Sequence, residues 1–92
     1  MNGVTKTGFE FEIDERKLSD YRLLSALGKV TSEDCPETQK MSAIVEMTEF
    51  ILGDEKNALL EHVSSLNNGF CPIKAVEEEI GDIIISSKKL KN

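Results

Sequence analysis

The stretch Ile51–Val63, ILGDEKNALLEHV, carries the decision about this fold. A glycine followed by two acids, set between two apolar periodic segments, reads as one helix stopping and another starting. Gly53 is placed to end the first helix, and Asp54 to cap the second. The competing reading is an acid–base site, because the stretch also holds the only histidine, His62, with Asp54, Glu55 and Glu61 close in sequence. Helical geometry opposes that reading. Asp54 and Glu55 lie about two turns from His62, and Glu61 points elsewhere around the helix. Leu59, Val63 and Leu66 form the buried stripe, with His62 on its flank, so only a carboxylate from another helix could reach the ring. The stretch is therefore a helix junction, no catalytic residue is assigned, and a non-enzymatic protein is expected.

Toward the C-terminus, Asn67-Asn68-Gly69 makes a turn, and Pro72 suits the first position of a last helix along Ile73, Val76, Ile80, Ile83 and Ile84. Within it, Gly81–Ser87 (GDIIISS) has three consecutive β-branched residues that would also suit a strand. The apolar spacing running through Ile83 and Ile84 favours helix.

Toward the N-terminus, Pro36 opens a helix that runs to Leu52, and the polar stretch 31–34 is a loop. An earlier helix starts at Ser19 and Asp20, with Ser19 as its cap, and carries Leu23, Leu24, Leu27 and Val30 at spacings of three and four. In Gly8–Asp14, GFEFEID, Phe9, Phe11 and Ile13 alternate with acids, the period of a half-buried strand. Its partner is either Val4–Thr7 folded back as a hairpin or the same strand of another protomer. The expected fold is mainly α: one domain, 1–92, with an N-terminal β segment (1–14) and a helical region (19–92) of about four helices.

The totals narrow the function. With 92 residues, 39% of them hydrophobic and 30% charged, the chain fits one modest core. A formal charge of −6 argues against nucleic acid, which needs clustered cations. The one basic cluster, Lys88, Lys89 and Lys91, reads as a solvated helix end. No apolar run approaches the roughly 20 residues of a membrane span, and none marks a signal peptide, so a soluble intracellular protein is expected. Cys35 and Cys71 are too few for a disulfide framework or a zinc set. Each precedes a proline, and buried reduced thiols at helix entries are expected. Glu77, Glu78 and Glu79 splay apart on consecutive helix positions and read as a solvated face, not a metal site. No cofactor motif appears.

The helix from Pro36 to Leu52 is the informative one. At about 100° per residue, Met41, Ile44, Val45, Thr48, Ile51 and Leu52 gather on one side. Ala43, Met47 and Phe50 gather nearly opposite, with Ser42, Glu46 and Glu49 on a polar strip between. Two apolar stripes mean either a helix sandwiched inside the bundle or a partner-binding face made by Ala43, Met47 and Phe50. We assign the partner surface to those three residues.

The order of segments adds a resemblance. TGFEFEIDERKLSDYRLLSAL, a helix ending in ILGDEKNALLEHV, then NNGFCPIKAVEEEI and a Lys/Asn-rich end resemble the small tail assembly chaperones of long-tailed bacteriophages and prophages, over 7–92. The resemblance implies a non-enzymatic chaperone that binds the long apolar tape measure protein, with the tail tube protein as a second partner and self-association as a further possibility. A small regulator or antitoxin-like interaction module is the alternative.

Overall fold

The computed structural model describes residues 1–91, and side chains as far as residue 86. The basic cluster Lys88, Lys89 and Lys91 therefore lies outside the described side chains. Strands β1 (Asn2–Val4) and β2 (Glu10–Glu12) precede helices α1 (Tyr21–Thr31), α2 (Glu37–Leu52), α3 (Lys56–Leu66) and α4 (Ile73–Lys91). Short 3-10 turns at Glu15–Ser19 and Gly53–Glu55 join β2 to α1 and α2 to α3. The fold is thus mainly helical with a small N-terminal sheet, as the periodicities predict.

The strand partner is internal to the chain. β1 and β2 pair antiparallel, Asn2 with Glu12, Gly3 with Phe11 and Val4 with Glu10. Two further pairings extend the ladder at its ends, Ile13 N–H to Met1 O and Thr5 N–H to Phe9 O, both 2.9 Å. The partner therefore starts earlier than Val4–Thr7, because 5–9 is spent on the turn, where Gly8 takes a φ of +97°. Phe9, Phe11 and Ile13 all point inward and are at least 93% buried. The Phe11 ring lies across Gly3, where a Cβ would come within 2.5 Å of its Cζ. That close approach explains a glycine inside a strand.

Helix ends follow capping chemistry, with two shifts from expectation. Asp20, not Ser19, caps α1 by accepting the Arg22 N–H at 2.8 Å; Ser19 is absorbed into the preceding 3-10 turn, which Asp14 caps through Arg16 N–H. The Arg16 guanidinium and its backbone N–H hold the Asp14 carboxyl down at about 2. Arg22 likewise lowers Asp20. Gly53 does end α2, at φ +54°, its N–H returning to Glu49 O. Asp54, however, makes no cap. The chain turns through Gly53–Glu55 directly into α3.

α2 lies at the centre, packed by α1 on one side and α4 on the other. Its buried residues are Ala43, Ile44, Met47, Thr48, Ile51 and Leu52. At 100° per residue these span one continuous arc centred near Ile44 and Ile51, which is the sandwiched-helix reading. The two stripes seen in the sequence are the edges of that arc, and Ser42, Glu46 and Glu49 form the wet strip outside it. The core is completed by Leu23 and Ala26 of α1, Leu59 and Val63 of α3, and Val76, Ile80 and Ile83 of α4. Leu24 and Leu66, expected inside, are 52% and 56% exposed. The first points away from α2, and the second lies at the last turn of α3, past its neighbours. The ambiguous Gly81–Ser87 is helical, because Ile80 and Ile83 both face the core.

Burial separates two leucines of similar sequence context. Leu59 is fully buried, so Leu59→Ala should cost about 2–5 kcal/mol. Leu24→Ala should stay within about 0.5 kcal/mol. Urea denaturation followed by circular dichroism measures both.

Candidate partner-binding groove

The predicted surface does not stand free. Ala43 and Met47 are 1% and 4% exposed, Met47 packing where Leu23, Ala26, Leu27, Val30 and Ile80 converge. Phe50 is half-buried, and its outer face is roofed by cations: the Arg22 guanidinium at 4.9 Å and the Lys17 ammonium at 5.8 Å. Asp20 fixes that roof by pairing with Arg22 at 3.1 Å. A cation over a ring at the surface contributes about 0.5–1 kcal/mol. The stripe Ala43–Met47–Phe50 is thus the seam between α1 and α2. Ala43 and Met47 are core and Phe50 packs half-buried against it, so the assignment of a free partner surface to these residues is corrected for Ala43 and Met47.

Part of the exposed apolar surface lies on the other flank of α2. Met41 and Val45, one turn apart, are 41% and 47% exposed. Beside them a groove of about 270 Å³ opens between α2, α3 and the start of α4, walled by Val45, Thr48, Leu60, Cys71, Ile73 and Val76. Thr48 spends its hydroxyl proton on Ile44 O at 2.8 Å, so it presents no free donor. Glu49 and Lys56 pair across the α2–α3 junction at 3.3 Å and form a charged rim. Phe70, the residue before Cys71 in sequence, is 75% exposed. The turn beneath it is held by Gly69 N–H to Ser64 O, 2.8 Å, with Asn68 and Gly69 both at positive φ. Two consecutive left-handed residues fix the direction of the chain and carry the ring outward. Cys71 is exposed and Cys35 half-buried, both free thiols, so neither is the buried cysteine expected.

Sequence reasoning placed Met41 and Val45 in the core because it centred the core on one stripe. On the helical wheel Met41 falls between the buried Thr48 and Leu52, and Val45 just beyond Leu52, so spacing within α2 does not by itself expose them.

A second polar cluster ties the hairpin to the helices. Glu79 is 5% exposed, contrary to the solvated face expected of Glu77–Glu79. Its Oε1 accepts the hydroxyl protons of Thr5 and Thr7, each at 2.9 Å. Thr7 Oγ1 also lies 2.9 Å from His62 Nε2. Since the one Thr7 proton goes to the carboxylate, the ring nitrogen donates to the hydroxyl oxygen. A carboxylate from another helix therefore does approach His62, through one intervening hydroxyl. The order is imidazole, hydroxyl, carboxylate. A nucleophilic relay needs the imidazole in the middle, oriented by the acid, so this arrangement fastens the turn at 5–9 rather than activating Thr7. Helical arithmetic could have found Glu79, which falls beside Ile83 on the face that also carries Val76 and Ile80. Among the described residues, no group of three or more His, Cys, Asp or Glu side chains could hold a metal ion. Nor is any described helix long and apolar enough to cross a membrane.

No family model matches the chain, and no curated protein or solved structure matches it either. The groove and the polar clamp must be read from their own geometry.

Removing the clamp's acceptor strands two hydroxyls, one of them on the buried Thr5. Glu79→Ala should therefore destabilise the protein by about 1–3 kcal/mol. Glu79→Gln, which keeps an acceptor oxygen, should cost less. Thermal melts of the two variants distinguish the outcomes.

Proposed function

We propose that this chain is a tail assembly chaperone of a long-tailed phage or prophage, working in the bacterial host cytoplasm to hold an apolar segment of the tape measure protein until the tail tube forms around it. Two things support the reading. One is the segment order shared with such chaperones. The other, which carries the reading, is the apolar groove walled by Val45, Leu60, Ile73 and Val76 on an otherwise acidic molecule.

A holdase must offer apolar surface and still stay in solution. The charge of −6 serves the second need by keeping free copies apart. The groove serves the first: its floor is apolar, its only charged rim is already paired, and Met41 is a flexible side chain that adapts to varied sequences. An amphipathic helix laid along it would meet Val45, Leu60 and Ile73 at successive turns, the usual pattern of helix-in-groove recognition. No covalent chemistry is required of any residue.

Co-expression with a tape measure fragment, scored for a soluble complex, tests this. Met41→Asp with Val45→Asp should leave the helical spectrum unchanged, since both side chains are exposed, and weaken the complex at least tenfold. Met47→Asp should instead unfold the protein. A regulator or antitoxin-like module would leave the fragment insoluble in every case, and that result ends the proposal.

A further inference from the structure

We propose that Asn68 is a self-modification site: in the folded protein its carboxamide is lost to attack by the Gly69 nitrogen, which leaves aspartate and isoaspartate in the turn between α3 and α4. The inference goes beyond the chaperone reading and does not rest on it.

An asparagine followed by glycine is the pair in which this reaction is least obstructed, because no side chain shields the attacking nitrogen and glycine's backbone rotates most freely. The chain holds two such pairs, Asn2-Gly3 and Asn68-Gly69. As dipeptides they are equal; the fold separates them. Asn2 and Gly3 lie in β1. Met1 and Ile13 exchange both of their bonds, so the next hydrogen-bonded pair of the ladder is Gly3 with Phe11. The Gly3 nitrogen is therefore engaged, and the buried Phe11 ring lies across the residue. Freeing that nitrogen means peeling the strand from the core.

Asn68 and Gly69 are both exposed. One bond holds the Gly69 nitrogen, N–H to Ser64 O at 2.8 Å, and residues 70–72 beyond it belong to no helix or strand. Nothing lies within 4 Å of where a Gly69 Cβ would stand. Asn68 has a left-handed φ of +57°, which is costly for a residue with a Cβ, so opening the turn relieves strain. Its carboxamide makes no hydrogen bond among the described residues, whereas that of Asn67 donates to Val63 O at 2.8 Å. Local opening of this turn costs far less than opening the strand.

With the Ser64 bond open, the Gly69 nitrogen gives up its proton and attacks Cγ of Asn68. The new N–Cγ bond closes a succinimide ring, the Cγ–Nδ2 bond breaks, and ammonia leaves with the proton. Water then opens the ring. Its attack at Cγ gives aspartate; its attack at the main-chain carbonyl gives isoaspartate, with an extra methylene in the backbone. Either product adds one negative charge to the −6 of the chain, at the C-terminal end of α3, where the helix dipole disfavours an anion. The change falls in the turn that leads into Cys71 and Ile73, which line the groove.

The test is incubation of the full chain at mildly alkaline pH, in buffer and in guanidinium chloride, followed by tryptic mapping. Trypsin releases 1–6, which holds Asn2, and 57–74, which holds Asn57, Asn67 and Asn68. Tandem mass spectrometry places the amide-to-acid mass change. In buffer Asn68 should convert at least tenfold faster than Asn2. In denaturant, with both nitrogens free, the two rates should converge to within about threefold. Asn68→Gly, which keeps a residue suited to the left-handed turn, should abolish the acidic species in 57–74. Equal rates in buffer, or a tenfold difference that persists in denaturant, overturns the inference. So does an Asn68 that stays intact in buffer while the unfolded sample converts, or an acidic species that survives Asn68→Gly.

Discussion

The continuous apolar arc of α2 is the constraint on which the other elements depend. A helix with one narrow stripe can lie on a surface, but an arc reaching from Ala43 through Ile51 to Leu52 must be covered from more than one side. α1 covers one flank and α4 the other, and α3 returns from the Gly53 turn to fill the gap with Leu59 and Val63. The arc is slightly wider than its neighbours can cover. Met41 and Val45, 41% and 47% exposed, are left partly uncovered, and the groove opens beside Val45.

The N-terminal hairpin joins this bundle by two different forces. Phe9, Phe11 and Ile13 contribute apolar burial, which is strong but not directional. The clamp of Thr5 and Thr7 on Glu79 contributes direction. A carboxylate buried to 95% is costly to desolvate, and two hydroxyl donors on one oxygen offset that cost only when the turn sits in one position. A two-stranded sheet is marginal alone. Here it is anchored by the helices, and in return it fills one end of their core. The same network accounts for the single histidine, which donates to Thr7 as part of an attachment.

The polar cluster that most resembles a catalytic constellation has its groups in the wrong order for one, and its carboxylate is enclosed. Phe70 instead is 75% exposed after the Asn67–Gly69 turn, and Cys71, the next residue, lines an apolar recess. An uncapped junction such as Asp54, and caps such as Asp14 and Asp20 held ionised by a neighbouring arginine, are local matters of helix ends. They set where elements begin and have no part in the groove.

Several features were legible from residue order alone: the helix junction at Gly53, the turn at Asn67–Gly69, the alternation of Phe9, Phe11 and Ile13, and the mainly helical architecture. Each rests on interactions within a few residues, and those are written into spacing and residue type. The exposed groove was not legible in this way. Periodicity shows how many degrees of a helix are apolar, but the choice of which edge stays dry belongs to the neighbours that pack against it. Met47 and Met41 are alike in residue type, yet the first is 4% exposed at the seam with α1 and the second 41% exposed. For Glu79, spacing shows that the position faces the core but not what satisfies its carboxylate: the donors come from more than 70 residues away, and only folding brings Thr5 and Thr7 to it.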